Sequence, residues 1–117
     1  AKLRRESRSL WVVLHHEPPE GTAVGGSMGD PGLTWKIREY QPTFVLSGHL
    51  HAQPYSGSFA DREGHTWCFN PGAPIISKIS RAAVPNHILV DTEARTATWF
   101  ATPTTSRAPI QETLSLG

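Results

Sequence analysis

The order of its apolar runs predicts an α/β fold for this 117-residue chain: a parallel βαβ unit followed by antiparallel hairpins. Three observations carry that expectation. Two short, continuous apolar runs, Leu10-Trp11-Val12-Val13-Leu14 and Phe44-Val45-Leu46, flank a segment of helical periodicity, and such runs suit strands covered on both faces. Each run passes directly into a histidine-bearing loop. Beyond residue 55 the pattern changes to strand-like segments punctuated by turn residues.

Element by element, the chain reads as follows. Residues 2–8 hold four of the eleven basic residues and are read as a solvated stretch beside a chain end. The first apolar run stops at His15-His16-Glu17-Pro18-Pro19, because prolines lack an amide donor and cannot continue a central strand. Residues 21–32 contain five glycines and are expected to form a flexible, functional loop that shapes a pocket together with Tyr55. Asp30 is a suitable N-cap and Pro31 a suitable first helical residue. Leu33, Ile37 and Tyr40 then share one helical face, and Gln41-Pro42 ends the helix. Phe44-Val45-Leu46 leads into Ser47-Gly48-His49-Leu50-His51, with Gly48 expected to supply the sharp turn. A strand, helix, strand order favours parallel pairing. Both histidine clusters then emerge at the carboxyl edge of the sheet, where open α/β sheets bind ligands.

A first hairpin is expected from residues 56–60 and 66–69 around Asp61-Arg62-Glu63-Gly64, ended by the turn Asn70-Pro71-Gly72. A second pairs residues 87–91 with 96–100 around Thr92-Glu93-Ala94-Arg95. The domain is expected to span 1–101. Residues 102–117, rich in Thr, Ser and Pro, are expected to be a loosely held tail.

Composition narrows the function classes. Eleven Lys and Arg against ten Asp and Glu leave a net charge of +1, which argues against dedicated nucleic-acid binding and against a polybasic membrane module. Apolar runs are only a few residues long, far short of the ~20 that span a bilayer. Cys68 is the single cysteine, so no intrachain disulfide forms and a reducing, cytoplasmic setting is expected. Ala1 stands first and Met28 is the only methionine, consistent with removal of an initiator or with a chain that begins partway through a longer protein.

Imidazole is the commonest side-chain donor to borderline transition metals. His49 and His51, one residue apart after a strand, form a pair able to converge on one ion or on two adjacent ones, and His15-His16 ends the neighbouring strand. Taken in order, Leu14-His15-His16-Glu17-Pro18-Pro19, Ser47-Gly48-His49-Leu50-His51 and Phe69-Asn70-Pro71-Gly72 resemble the C-terminal half of the calcineurin-like metallophosphoesterase superfamily. The resemblance covers roughly residues 8–100 and implies half of a β-sandwich flanked by helices. It also implies two divalent ions about 3.5–4 Å apart in the intact protein, Mn, Fe or Zn, with His15 and His49 on one and His51 on the other. The chain has two residues where the family has one before the first proline, which leaves His16 as the alternative to His15. In such enzymes the paired ions supply a hydroxide near neutral pH and neutralise the phosphoryl oxygens of a phosphoester substrate.

The family's Asp-x-His pair, bridging Asp and Gly-Asn-His segment all precede the first of these motifs, and this chain contains none of them. Gly29-Asp30 and Asn86-His87 mimic two of those segments but stand in the wrong order. They are read as a helix cap and a strand start. His65 is expected to be exposed in a turn, Cys68 a small buried hydrophobe and Asn70 a turn former. The chain alone is therefore expected to hold at most one ion and to be inactive. The remaining ligands would come from a missing N-terminal half or a second polypeptide. A bare sheet face would meet that partner or form a homodimer. The alternative function is a non-catalytic scaffold or protein-binding module of the same fold.

Overall fold

The computed structural model describes residues 10–74, 85–102 and 109–117. Strand β1 (Val12–Leu14) leads through a structured loop to helix α1 (Pro31–Tyr40), strand β2 (Phe44–Leu46) and the short helix α2 (Gln53–Ser56). Strands β3 (Ala60–Glu63), β4 (Thr66–Phe69), β5 (His87–Asp91), β6 (Thr96–Ala101) and β7 (Ile110–Ser115) follow. Among the described residues they form two sheets, one in the order β1-β2-β4-β3 and one in the order β5-β6-β7.

The βαβ unit forms as expected. The Asp30 carboxylate accepts from the Gly32 amide at 2.9 Å, and Pro31 opens the helix. Gln41, in the left-handed region, closes it by donating to Ile37 O. Leu33 and Ile37 are buried, whereas Tyr40 lies at the rim, edge-on to Trp11. β1 and β2 pair in parallel, Val13 opposite Val45. α1 covers one face of this sheet, where Val24, Leu33, Ile37, Val45 and Cys68 make a small core.

The larger core lies between the two sheets. Phe59, Ala60, Phe69, Ala97, Trp99, Ala101 and Leu116 are buried there, with Phe44, Leu46 and Trp67 packed against them. Trp99 stacks on Phe59 and meets Tyr55 edge-on, favourable arrangements for buried aromatics. The architecture is thus mixed α/β, a sheet with parallel pairing backed by an antiparallel one.

Four local expectations are corrected. The first hairpin sits further along the chain. Residues 53–56 are helical, β3 occupies Ala60–Glu63, and the turn falls on Gly64 and His65, with Gly64 at φ +65°. A left-handed residue at the start of a two-residue loop matches the twist of paired strands. Charged Asp61-Arg62-Glu63 resembles a turn by composition, but β3 is an edge strand, where charges are tolerated. Arg38 there binds Glu63, and Arg62 lies over the Trp67 ring.

The expected tail supplies β7, which pairs with β6 from Thr96 opposite Ser115 to Ala101 opposite Ile110, and Leu116 is buried beyond it. The glycine-rich loop is packed rather than free. Val24 and Thr22 are buried, Thr22 Oγ1 donates to Pro19 O at 2.8 Å, and a Cβ on Gly25 would fall 2.1 Å from Pro19 O. Finally, β4 runs parallel to β2, with Val45 opposite Cys68, a pairing that local sequence signals did not announce. Among the described residues no helix is long and apolar enough to cross a membrane.

Candidate functional site

Because β1, β2 and β4 are mutually parallel, all three end at the same edge. Each delivers one motif to that edge: His15-His16, Gly48-His49-Leu50-His51 and Asn70-Pro71-Gly72. Main-chain bonds continue past the strands and hold the loops together. His15 N donates to Leu46 O at 3.0 Å, Gly48 N to His16 O at 3.0 Å, Ser47 N to Phe69 O at 2.9 Å and Ala73 N to His51 O at 3.1 Å.

The two β1 histidines point to different neighbours. His15 turns toward the start of α1. Its Nδ1 lies 2.7 Å from Glu17 O and its Nε2 3.5 Å from an Asp30 carboxylate oxygen. The Nδ1 contact is a hydrogen bond, and the Nε2 contact is a longer approach to the carboxylate. His16 is the β1 histidine placed against the second loop, its ring centroid 4.6 Å from that of His49 with the planes tilted by 54°. His49 and His51 are exposed, and His51 reaches neither of the other rings as an aromatic pair. Of the two β1 histidines left open by the sequence, His16 is the one whose ring pairs with that of His49. Among the described residues, no three His, Cys, Asp or Glu side chains group closely enough to hold a metal ion.

The sharp turn in this loop falls on His49 rather than Gly48. His49 adopts φ +64°, while Gly48 keeps an ordinary φ and has open space where a Cβ would stand. Histidine is among the non-glycine residues enriched in the left-handed region, at an energetic cost that the surrounding bonds must hold. Backbone strain of this kind concentrates at functional loops.

What holds the loop is Asn70, which is fully buried. Its Nδ2 donates to Leu50 O at 3.0 Å and to Val24 O at 3.2 Å, and its Oδ1 accepts from Gly72 N at 2.9 Å. One amide thus ties the histidine loop, the glycine-rich loop and its own turn. The Asx turn at Asn70 was legible in the sequence; the other two partners lie 20 and 46 residues away and were not. Gly72 completes the clamp: at φ +66°, a Cβ there would stand 2.6 Å from His51 O. Beneath the same loop, Ser47 Oγ is buried without a hydrogen-bond partner among the described residues.

The residues set aside on sequence grounds serve structure. Asp30 caps α1 as expected. Asn86 donates to Tyr55 Oη and to Pro71 O, both at 2.9 Å, and accepts from Thr102 N, and His87 stacks on Phe100. His65 is exposed. Cys68 is buried, and loss of solvation, reinforced by the nearby Asp61 and Glu63 charges, pushes its thiol pKa up to about 12. It is an inert hydrophobe at neutral pH.

The Tyr55 hydroxyl donates to Thr102 O at 2.6 Å. A cavity of about 370 Å³ lies between β1 and α1, lined by Trp11, Val13, Leu33, Ile37 and Val45, with His15, Asp30 and Lys36 at its polar margin.

The donor set of this edge fits part of a two-ion centre. It offers imidazoles, but Asp30, the carboxylate paired with a histidine among the described residues, also caps α1. No bridging carboxylate accompanies His49 and His51 among the described residues. A complete dinuclear centre does not fit this chain alone. No protein-family model, curated protein or solved structure matches the chain.

Proposed function

We propose that the intact parent of this chain is a metal-dependent phosphoesterase, and that this chain contributes the imidazole side of its metal centre. One observation supports the reading above the others: three parallel strands deliver the three motifs, in the resembling order, to a single carboxyl edge. Within that reading His49 and His51 are ligands. The β1 ligand is His16 in preference to His15, because the His16 ring stands against that of His49. Carboxylates from a preceding segment or a second polypeptide complete the set, and Mn, Fe and Zn all suit imidazole and carboxylate donors. A cytoplasmic setting suits the lone, buried thiol.

The competing reading, a scaffold that keeps the fold without the chemistry, draws on the absence of any three-residue metal group among the described residues. Calorimetric titration of the 117-residue chain with Zn²⁺ or Mn²⁺ separates the two. Weak binding of one ion that His49→Ala and His16→Ala abolish, and His15→Ala retains, supports the partial centre. No binding, or loss only of a protein partner in His49→Ala, supports the scaffold. Turnover of a chromogenic aryl phosphate is expected to be absent for this chain with Mn²⁺ added. Robust turnover would refute the partial-site reading.

A further inference from the structure

We propose that β1 is a pairing strand for a second copy of this chain, the two β1 strands running antiparallel about a two-fold axis at Val12. Among the described residues β1 is an outer strand of the four-stranded sheet, with one face bare and the other only partly covered by α1. Val12 and Leu14 lie in register with Phe44 and Leu46, which pack into the core between the sheets. Yet Val12 is 44% exposed, Leu14 78% and Leu10 58%. On the other face, Trp11 and Val13 line the groove of about 370 Å³ beside α1. Strands apolar on both faces belong inside a sheet, and an uncovered apolar edge is a template for another strand.

The occupant follows from backbone direction and residue order. Trp11 O accepts from the Thr43 and Phe44 amides, and His15 N donates to Leu46 O. Odd-numbered residues of β1 thus direct their main-chain groups at β2, and even-numbered ones direct theirs outward. An antiparallel neighbour must meet those outward groups with its own, so in a pair of copies even-numbered residues face even-numbered ones. The run Leu10-Trp11-Val12-Val13-Leu14 satisfies this against itself. With Val12 opposite Val12 of the second copy, Leu10 faces Leu14 and Leu14 faces Leu10. Trp11 then stands opposite Val13, over the open side of the other groove. No charged side chain is opposed along this stretch. Moving the axis to Val13 keeps the parity but sets Trp11 against His15 and Leu10 against His16, so the apolar match selects Val12. This inference goes beyond the phosphoesterase reading: antiparallel pairing sends the two histidine edges to opposite ends and leaves both open.

The test is sedimentation equilibrium of the 117-residue chain at tens of micromolar, with a dimer expected. Val12→Pro removes an outward amide while sparing the β2 ladder, a tolerated use of proline at an edge. Leu14→Lys places a charge on the exposed stripe. Each is expected to weaken dimerisation at least tenfold with the circular dichroism spectrum unchanged. Val12→Cys needs no loss of fold to report. Across the axis its Cα atoms would be about 5.5 Å apart, within disulfide reach, so mild oxidation should give a covalent dimer, and Leu89→Cys on exposed β5 should not. A monomer at these concentrations overturns the proposal. So does a dimer that survives both edge variants while they stay folded, a Val12→Cys chain that cross-links no better than Leu89→Cys, or a monomer that pairs only with a separately supplied upstream polypeptide. Metal titration of the histidines reads out independently of all of these.

Discussion

Replacing Asn70 by Ala removes one side chain and three hydrogen bonds to three separate segments. A net hydrogen bond contributes about 1 kcal/mol, so the clamp is expected to contribute about 3 kcal/mol, against a total stability of about 5–15 kcal/mol. Unfolding entropy of about 2.1 cal/mol/K per residue, over 117 residues, makes that a fall in melting temperature of about 12 °C. If Asn70 were only a turn former, the Gly72 bond alone would be lost, and the fall would be about 4 °C. The two magnitudes are far enough apart to decide the role.

Asn70→Asp sharpens the comparison. It keeps an oxygen for the Gly72 amide but sets a second oxygen, in place of a donor, against the Leu50 and Val24 carbonyls at a fully buried position. The expected loss at pH 7 equals or exceeds that of Asn70→Ala. Urea unfolding followed by tryptophan fluorescence measures all three proteins, and amide hydrogen exchange around Leu50 reports whether the histidine loop loosens first. An Asn70→Asp chain within about 1 kcal/mol of the parent would show that the clamp is not what holds the loop.

Three further outcomes are expected. Asp30→Ala loses the α1 cap and the His15 contact and should cost about 1 kcal/mol by thermal unfolding, while Asn at position 30, which caps equally well, should recover most of it. At His49, φ +64° predicts a sign: Gly should leave stability within about 0.5 kcal/mol and Val should cost about 1–2 kcal/mol, measured by urea midpoint. For Cys68, the folded pKa near 12 lies above the unfolded 9.0, so its contribution is full below pH 9 and is lost as pH rises toward 12. The stability difference between the parent and Cys68→Ala should therefore shrink by up to about 1.4 kcal/mol per pH unit above 9, and thiol reagents should react only on unfolding.

Much of the framework was readable from neighbouring residues. Asp30-Pro31 and Gln41-Pro42 bound α1 by local capping and proline sterics. The two apolar runs marked β1 and β2, and the second hairpin followed from alternation around a polar turn. Each of these depends on interactions within a few positions along the chain. The site was legible to the same depth: its motifs and its sheet edge could be named, since a βαβ unit forces both histidine loops to one side.

Folding itself assigned the rest, because the determining contacts join distant residues. β4 lies parallel to β2 through a pairing 23 positions apart, Val45 with Cys68, and that pairing alone brings Asn70 beneath the histidine loop. β7 carries little apolar alternation of its own and is a strand because β6 offers it a ladder. Whether His15 or His16 turns toward His49 was left open by the residues themselves. Once α1 packs back on β1, His15 stands 3.5 Å from Asp30, fifteen positions away, and His16 stands against His49. Local propensity writes the elements, and long-range hydrogen bonding and burial select their neighbours, from which the aim of each imidazole follows.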